Sequence, residues 1–210
     1  MILSESSGID MANDDVIALE RKIYAMTLEL NKLKQQTDRV EVPNYTFKTL
    51  DGEVTLDDLF AGKDKLLMIH NMGQGCRYCT LWGDGLSPLL PHLESVVSVA
   101  MVSKDEPELQ RRFASSRGWR FRMASHGGGD YIKEQSAVSG QDNYPGVVGY
   151  EREGGQIYRI NSSPFGPGDL YCPVWNLLST VGVDGDTFTP QFNYWLRPDT
   201  LDDGGENLVG

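Results

Sequence analysis

Long apolar runs are missing from this 210-residue chain, and no stretch approaches the roughly 18–20 consecutive apolar residues of a membrane-spanning helix. Cysteine is scarce, with three residues, which excludes a disulfide-stapled scaffold. Basic residues are also few, 19 against 30 acidic ones. The resulting formal charge of −11 disfavours any surface that must neutralise a phosphate backbone, so nucleic acid is not an expected partner. The segment from Met1 to Asp15 lacks the basic and apolar regions of a secretory signal, and a cytoplasmic location without membrane association is expected. Neither an internal repeat nor a long linker is visible. With 40% hydrophobic and 10% aromatic residues, the chain can bury one sizeable core, giving one domain plus appendages.

Residues 13 to 36 read as one long helix with Asn13 as its N-cap and Asp14 and Asp15 facing the positive end of the dipole. Val16, Leu19, Ile23, Met26, Leu30 and Leu33 follow at alternating spacings of three and four, an a/d seam over nearly three heptads. Two uses of that stripe are open: packing on the chain's own domain, or pairing with a second subunit as a homodimer. Residues 1–39 are therefore read as an N-terminal helical extension. The tail 197–210 has little to bury and is expected to be mobile.

Between these lies a domain of residues 40–196. Tyr45, Phe47, Val54 and Leu56 alternate around an Asp51-Gly52 turn, and Leu56–Phe60 form a helical turn stopped by Gly62. Leu66–Ile69 and Val96–Val102 read as buried strands, Pro107–Arg117 as a helix ended by Gly118, and Arg120–Ala124 as a short strand. The segment from Thr80 to Leu93 is helical in pattern, but Gly83, Gly85, Pro88 and Pro91 predict a kink or a break. A hairpin pairs Val147–Tyr150 with Gln156–Ile160 across Gly154-Gly155, and Val174–Val181 closes the domain as a helix. Strands alternating with helices predict an α/β, three-layer fold with a central mixed sheet, the final hairpin adding antiparallel edge strands. This order is the thioredoxin-like one.

Gly75-Cys76-Arg77-Tyr78-Cys79 falls between a buried strand and a helix start, the setting of a redox CxxC pair. Free N–H groups and the dipole at the helix N-terminus favour a thiolate at Cys76, and two intervening residues bring Cys79 within reach of a mixed disulfide formed there. Cys76 is thus read as the attacking and Cys79 as the resolving catalytic thiol. Arg77 is a candidate accessory charge, and Trp82, one turn past Cys79, a candidate shield. Two alternatives stay open. The pair is half of a zinc site, for which only Cys172, His70, His92 and His126 are left at no recognisable spacing, or it is inert.

Gly73-Gln74-Gly75-Cys76-Arg77-Tyr78-Cys79-Thr80-Leu81-Trp82, Ser116-Arg117-Gly118-Trp119-Arg120-Phe121, Phe165-Gly166-Pro167-Gly168-Asp169 and Trp175-Asn176-Leu177-Leu178 resemble a bacterial thioredoxin-like family. That family is catalogued as a domain of unknown function and often labelled a predicted dithiol-disulfide oxidoreductase. The resemblance runs from about Val40 to Trp195. It implies a thiol-disulfide oxidoreductase acting on protein or small-molecule thiols and disulfides with no bound cofactor and no metal. In the thioredoxin fold a proline with a cis peptide bond precedes the strand beside the active site; Tyr144-Pro145 fits that position and is expected to place the substrate. There are departures from thioredoxin itself: no Trp immediately before Cys76 and no Pro between the cysteines. The Pro and Thr expected before a peroxidatic cysteine are replaced by Gly73-Gln74-Gly75, so thiol peroxidase is a weaker alternative. A binding module that keeps the fold without turnover is the other.

Lesser features have plainer readings. Arg111, Arg112, Arg117, Arg120 and Arg122 are read as a solvated face paired with surplus carboxylates, the alternative being an anion or partner contact near the cysteines; His126 with Gly127-Gly128-Gly129 is read as a turn, the alternative being an anion-binding nest; and Cys172 is read as a small buried hydrophobe, the alternative being a third redox thiol. Trp82, Trp119, Trp175 and Trp195 are read as core aromatics.

Overall fold

A computed structural model describes residues 7–194, with side chains from Asn13 onward. Trp195 and the tail 197–210 lie outside the described residues. The chain divides into two compact units, one up to Asp38 and one from Arg39 on. The first contains helix α1, Ser7–Gln35. It starts two turns before the expected Asn13, which lies inside the helix; the apolar periodicity reaches back to Ile9, and a nucleated helix propagates through such residues. Lys32 and Lys34 occupy its last turn, where the dipole favours them. No helix among the described residues is long and apolar enough to cross a membrane.

The second unit is built on one eight-stranded sheet. Its strands are β1 (Val40–Val42), β2 (Thr46–Thr49), β3 (Gly52–Thr55), β4 (Lys65–His70), β5 (Ser98–Ser103), β6 (Arg122–Ser125), β7 (Gly146–Glu153) and β8 (Gln156–Pro164). Their order across the sheet is β1-β8-β7-β4-β5-β6-β2-β3. The run β4-β5-β6 is parallel, and β7 pairs antiparallel with β4, bringing Gly146 opposite His70. The β7–β8 hairpin therefore does not form the sheet edge expected from the sequence. Strand β7 is interior, β8 is covered by β1, and the edges are β1 and β3. The three-residue β1, ended by Pro43, is too short to announce itself by alternation.

Helices α2 (Leu56–Leu59), α3 (Arg77–Leu86), α4 (Leu90–Glu94), α5 (Pro107–Arg117), α6 (Asp130–Gln135) and α7 (Val174–Thr180) complete the unit. Two cores flank the sheet, which makes it the three-layer, thioredoxin-like fold. Leu66, Met68 and Val148 join Leu56, Leu59, Tyr131 and Ile132 on one face. Ile69, Val99 and Met101 join Trp82, Leu86, Leu90, Ala114 and Trp175 on the other. Because side chains alternate along β4, His70 shares the face of Leu66 and Met68.

Helix α3 runs unbroken through Gly83 and Gly85 and gives way to a 3-10 turn at Ser87–Leu89. The prolines break the segment and the glycines do not, because Gly83 is a packing residue: a Cβ there would stand 2.4 Å from Cζ2 of Trp119. Asp84 fixes that indole, accepting from its Nε1 at 2.8 Å and from Arg117 Nε at 3.0 Å. Gly83→Ala is expected to destabilise the domain by about 1–3 kcal/mol despite alanine's better helix propensity, since overpacking must displace a fixed ring. A thermal melt checks this, and an unchanged midpoint would contradict it.

Candidate active site

The approach to the cysteines is built from short polar contacts at the carboxyl end of the parallel strands, where open α/β sheets present their sites. Beyond β4, Asn71 N–H donates to the Val102 carbonyl at 2.9 Å, and Asn71 Oδ1 accepts from Gly73 N–H at 2.8 Å. The loop after β5 contributes Asp105, whose carboxylate accepts from Gln74 N–H at 2.7 Å. Gly73 has φ +119°, and a Cβ on it would stand 2.8 Å from Asp105 Oδ1, so conformation and space both call for glycine. Cys76 N–H closes the turn on the Gly73 carbonyl at 3.1 Å.

Cys76 is the N-cap of α3, and its Sγ accepts from Cys79 N–H at 3.1 Å. Its carbonyl receives both the Thr80 N–H at 3.0 Å and the Thr80 hydroxyl at 2.9 Å. Cys79 Sγ accepts from Met72 N–H at 3.4 Å. Neither sulfur is in a disulfide, and both side chains are buried. Burial pushes the Cys79 thiol well above its usual value, and the neighbouring Cys76 sulfur, within hydrogen-bond reach, pushes the same way.

The other expected site residues gather here to different degrees. Arg77 is the first residue of α3 and is buried, so it does not extend into solvent. Trp82 is buried and stacks on Phe165 at 5.3 Å and Trp175 at 5.6 Å between centroids, with Tyr78 at 6.3 Å. It belongs to the core beneath α3. Tyr144-Pro145 reaches the site through its neighbour: Asn143 Nδ2 donates at 3.4 Å to the carbonyl of Met72, whose N–H meets Cys79. The expected cis bond before Pro145 is corrected, for no cis peptide occurs among the described residues. The chain reversal comes from Asn143, which tolerates φ +57°, while Pro145 leads into β7 and accepts from Phe165 N–H at 2.9 Å. The ordinary trans bond suffices.

Cys172 is buried with Trp82, Phe165 and Trp175, and burial raises its pKa. Asp169 shapes its loop by accepting from the N–H groups of Gly166, Tyr171 and Cys172 at 2.7–3.0 Å. Among the described residues no group of three or more His, Cys, Asp or Glu is arranged to hold a metal ion. The arginine stretch disperses: Arg117 pairs with Asp84, Arg122 donates to the Leu59 carbonyl at 2.9 Å, and Arg111, Arg112 and Arg120 are exposed. Surface clefts of about 360, 650 and 530 Å³ are lined by residues away from both cysteines.

Sequence reasoning missed Asp105 and a buried polar chain on the opposite face. His70 Nε2 meets the Tyr131 hydroxyl at 2.7 Å, Tyr131 meets Tyr150 at 3.2 Å, and Gln135 links to Tyr45 at 3.1 Å. Burial lowers the His70 pKa to about 3, with His126 and Arg159 acting the same way. Burial, then Lys104, lowers that of His126 to about 4. His126 itself closes the predicted turn, accepting from Gly128 N–H at 3.0 Å. A histidine ending a buried strand was the available signal for this chain. For Asp105 the signal was an acidic residue just past the neighbouring parallel strand.

Among known families, residues 4–199 match the one described as "Bacterial protein of unknown function (DUF899)". The chain belongs to that family. No curated protein matches this DUF899 member. Solved structures that resemble it include the peroxidoxin BcpB of Mycobacterium tuberculosis, 13% identical, covering 61% of this chain and 85% of that one with a TM-score of 0.47. The bacterioferritin comigratory protein of Xanthomonas campestris is 14% identical over 69% and 96% of the two chains, TM-score 0.49. A disulfide isomerase candidate from Bacteroides thetaiotaomicron is 19% identical over 69% and 91%, TM-score 0.47.

Proposed function

We propose that this DUF899 member is a thiol-disulfide oxidoreductase in which Cys76 attacks and Cys79 resolves. One observation carries the reading. Cys76 Sγ sits at the N-cap of α3 and accepts the Cys79 N–H, while burial holds the proton on the adjacent Cys79. An N-terminal helix position favours negative charge on the Cys76 sulfur, and the Cys79 N–H that it accepts acts the same way.

The Cys76 thiolate attacks one sulfur of a substrate disulfide, forming a mixed disulfide and expelling the first substrate thiolate. Cys79 then loses its proton and attacks the Cys76 sulfur, expelling the second thiolate. Two electrons pass to the substrate, and the Cys76–Cys79 disulfide remains. The reverse sequence oxidises a dithiol. Asp105 acts as a positioning residue by holding the loop from Gly73 to Gly75 that presents Cys76.

The reading is tested by incubating reduced protein with excess oxidised glutathione. One disulfide should be consumed per chain, with Cys76 and Cys79 oxidised and Cys172 still reduced. Failure to consume glutathione disulfide, or consumption that oxidises Cys172 instead, would contradict it.

A further inference from the structure

Asn143 holds φ +57°, which asparagine tolerates, and it brings to that conformation an amide that glycine lacks. The pairing of β7 with β4 decides where the amide falls. Gly146 lies opposite His70, so the antiparallel register continued past both strand ends brings Asn143 alongside Met72 and Gly73. There Asn143 Nδ2 donates to the Met72 carbonyl at 3.4 Å. The same peptide is held at its other end, where Gly73 N–H donates to Asn71 Oδ1 at 2.8 Å, and Asn71 is itself tied to β5 through the Val102 carbonyl. Met72 is thus fixed with its own N–H donating to Cys79 Sγ at 3.4 Å. Burial, then Cys76, raises the pKa of that thiol, and the Met72 N–H is the first of the groups that act the other way.

We propose that Asn143 is a positioning residue for the resolving step, holding Met72 so that its N–H stays on the Cys79 sulfur as that sulfur gives up its proton. The inference rests on the reading of Cys76 as the attacking and Cys79 as the resolving thiol. In this step the S–H bond of Cys79 breaks and an S–S bond to Cys76 forms. The bond from Cys76 to the substrate sulfur breaks, its electron pair leaves with the substrate, and the departing thiolate takes up the proton. No further reactant is required.

The test mixes the reduced full chain with excess oxidised glutathione, quenches it with acid at successive times, and follows the mixed disulfide on Cys76 by mass spectrometry. Asn143→Gly keeps the backbone conformation and removes the amide. In that variant attack at Cys76 should change by less than about twofold, while resolution slows about tenfold and its pH midpoint rises by about one unit, the scale of a hydrogen bond to a charged sulfur. Asn143→Asp, which sets an acceptor against the Met72 carbonyl, should slow resolution at least as much. Equal slowing of both steps, or resolution at the wild-type rate in either variant, would overturn the role of Asn143 and leave the cysteine roles standing. A Cys79→Ser protein that forms no mixed disulfide on Cys76 would overturn the cysteine roles, and the role of Asn143 with them.

Discussion

Cys79→Ser is expected to abolish turnover while leaving the first attack intact, so that mixed disulfides with substrate accumulate on Cys76. Position separates the two cysteines. Cys76 caps α3 and holds the N–H of residue 79 whatever side chain that residue carries. Serine at 79 cannot expel the substrate thiolate, so the enzyme stops with one electron-pair transfer half complete. Cys76→Ser removes the nucleophile, and exchange should fall by about 10³-fold or more, the scale seen when a covalent nucleophile is lost. Mass spectrometry of each variant after exposure to a disulfide distinguishes the two: an adduct on Cys79→Ser and none on Cys76→Ser. Equal residual activity in both variants, or an adduct on Cys172, would contradict the assigned roles.

Mild acid is expected to weaken the fold before most carboxylates titrate. His70 and His126 have pKa values lowered to about 3 and about 4, against about 6.5 in an unfolded chain. Below 6.5 the unfolded state therefore binds a proton at each histidine that the folded state refuses. Stability falls as pH falls, by about 1.4 kcal/mol per pH unit per histidine, and the loss ends once the folded pKa is passed. Between pH 7 and pH 5 the two together should cost about 4 kcal/mol, a large share of a typical domain's 5–15. Urea unfolding at the two pH values measures it, and in His70→Gln about half of the dependence should vanish. A midpoint that does not move between pH 7 and 5 would show that these histidines are not buried neutral.

What could be read in advance followed from local chemistry. The β-branched run of β5, the proline-to-glycine span of α5 and the Gly154-Gly155 turn each declare themselves within a few residues, and with them the order of the fold. The CxxC pair was legible for the same reason, being a four-residue motif next to a buried strand. Long-range partners were not. Gly83 looks like a helix breaker until Trp119 is known to lie against it. Asp105 meets Gln74 across 31 residues of sequence, and His70 finds Tyr131 across 61. The hairpin β7–β8 carries nothing in its own sequence that says β1 will cover it. The cis bond before Pro145 was an inference from the fold as a type, and Asn143 makes the turn without it.

Whether Cys76 and Cys79 form a working redox couple is decided by alkylation and mass spectrometry of all three cysteines after equilibration in a series of thiol-disulfide buffers. A reversible two-electron transition confined to Cys76 and Cys79 is predicted, and its midpoint states whether the protein reduces or oxidises its partners. The absence of any transition across the series, or a transition that draws in Cys172, would contradict it.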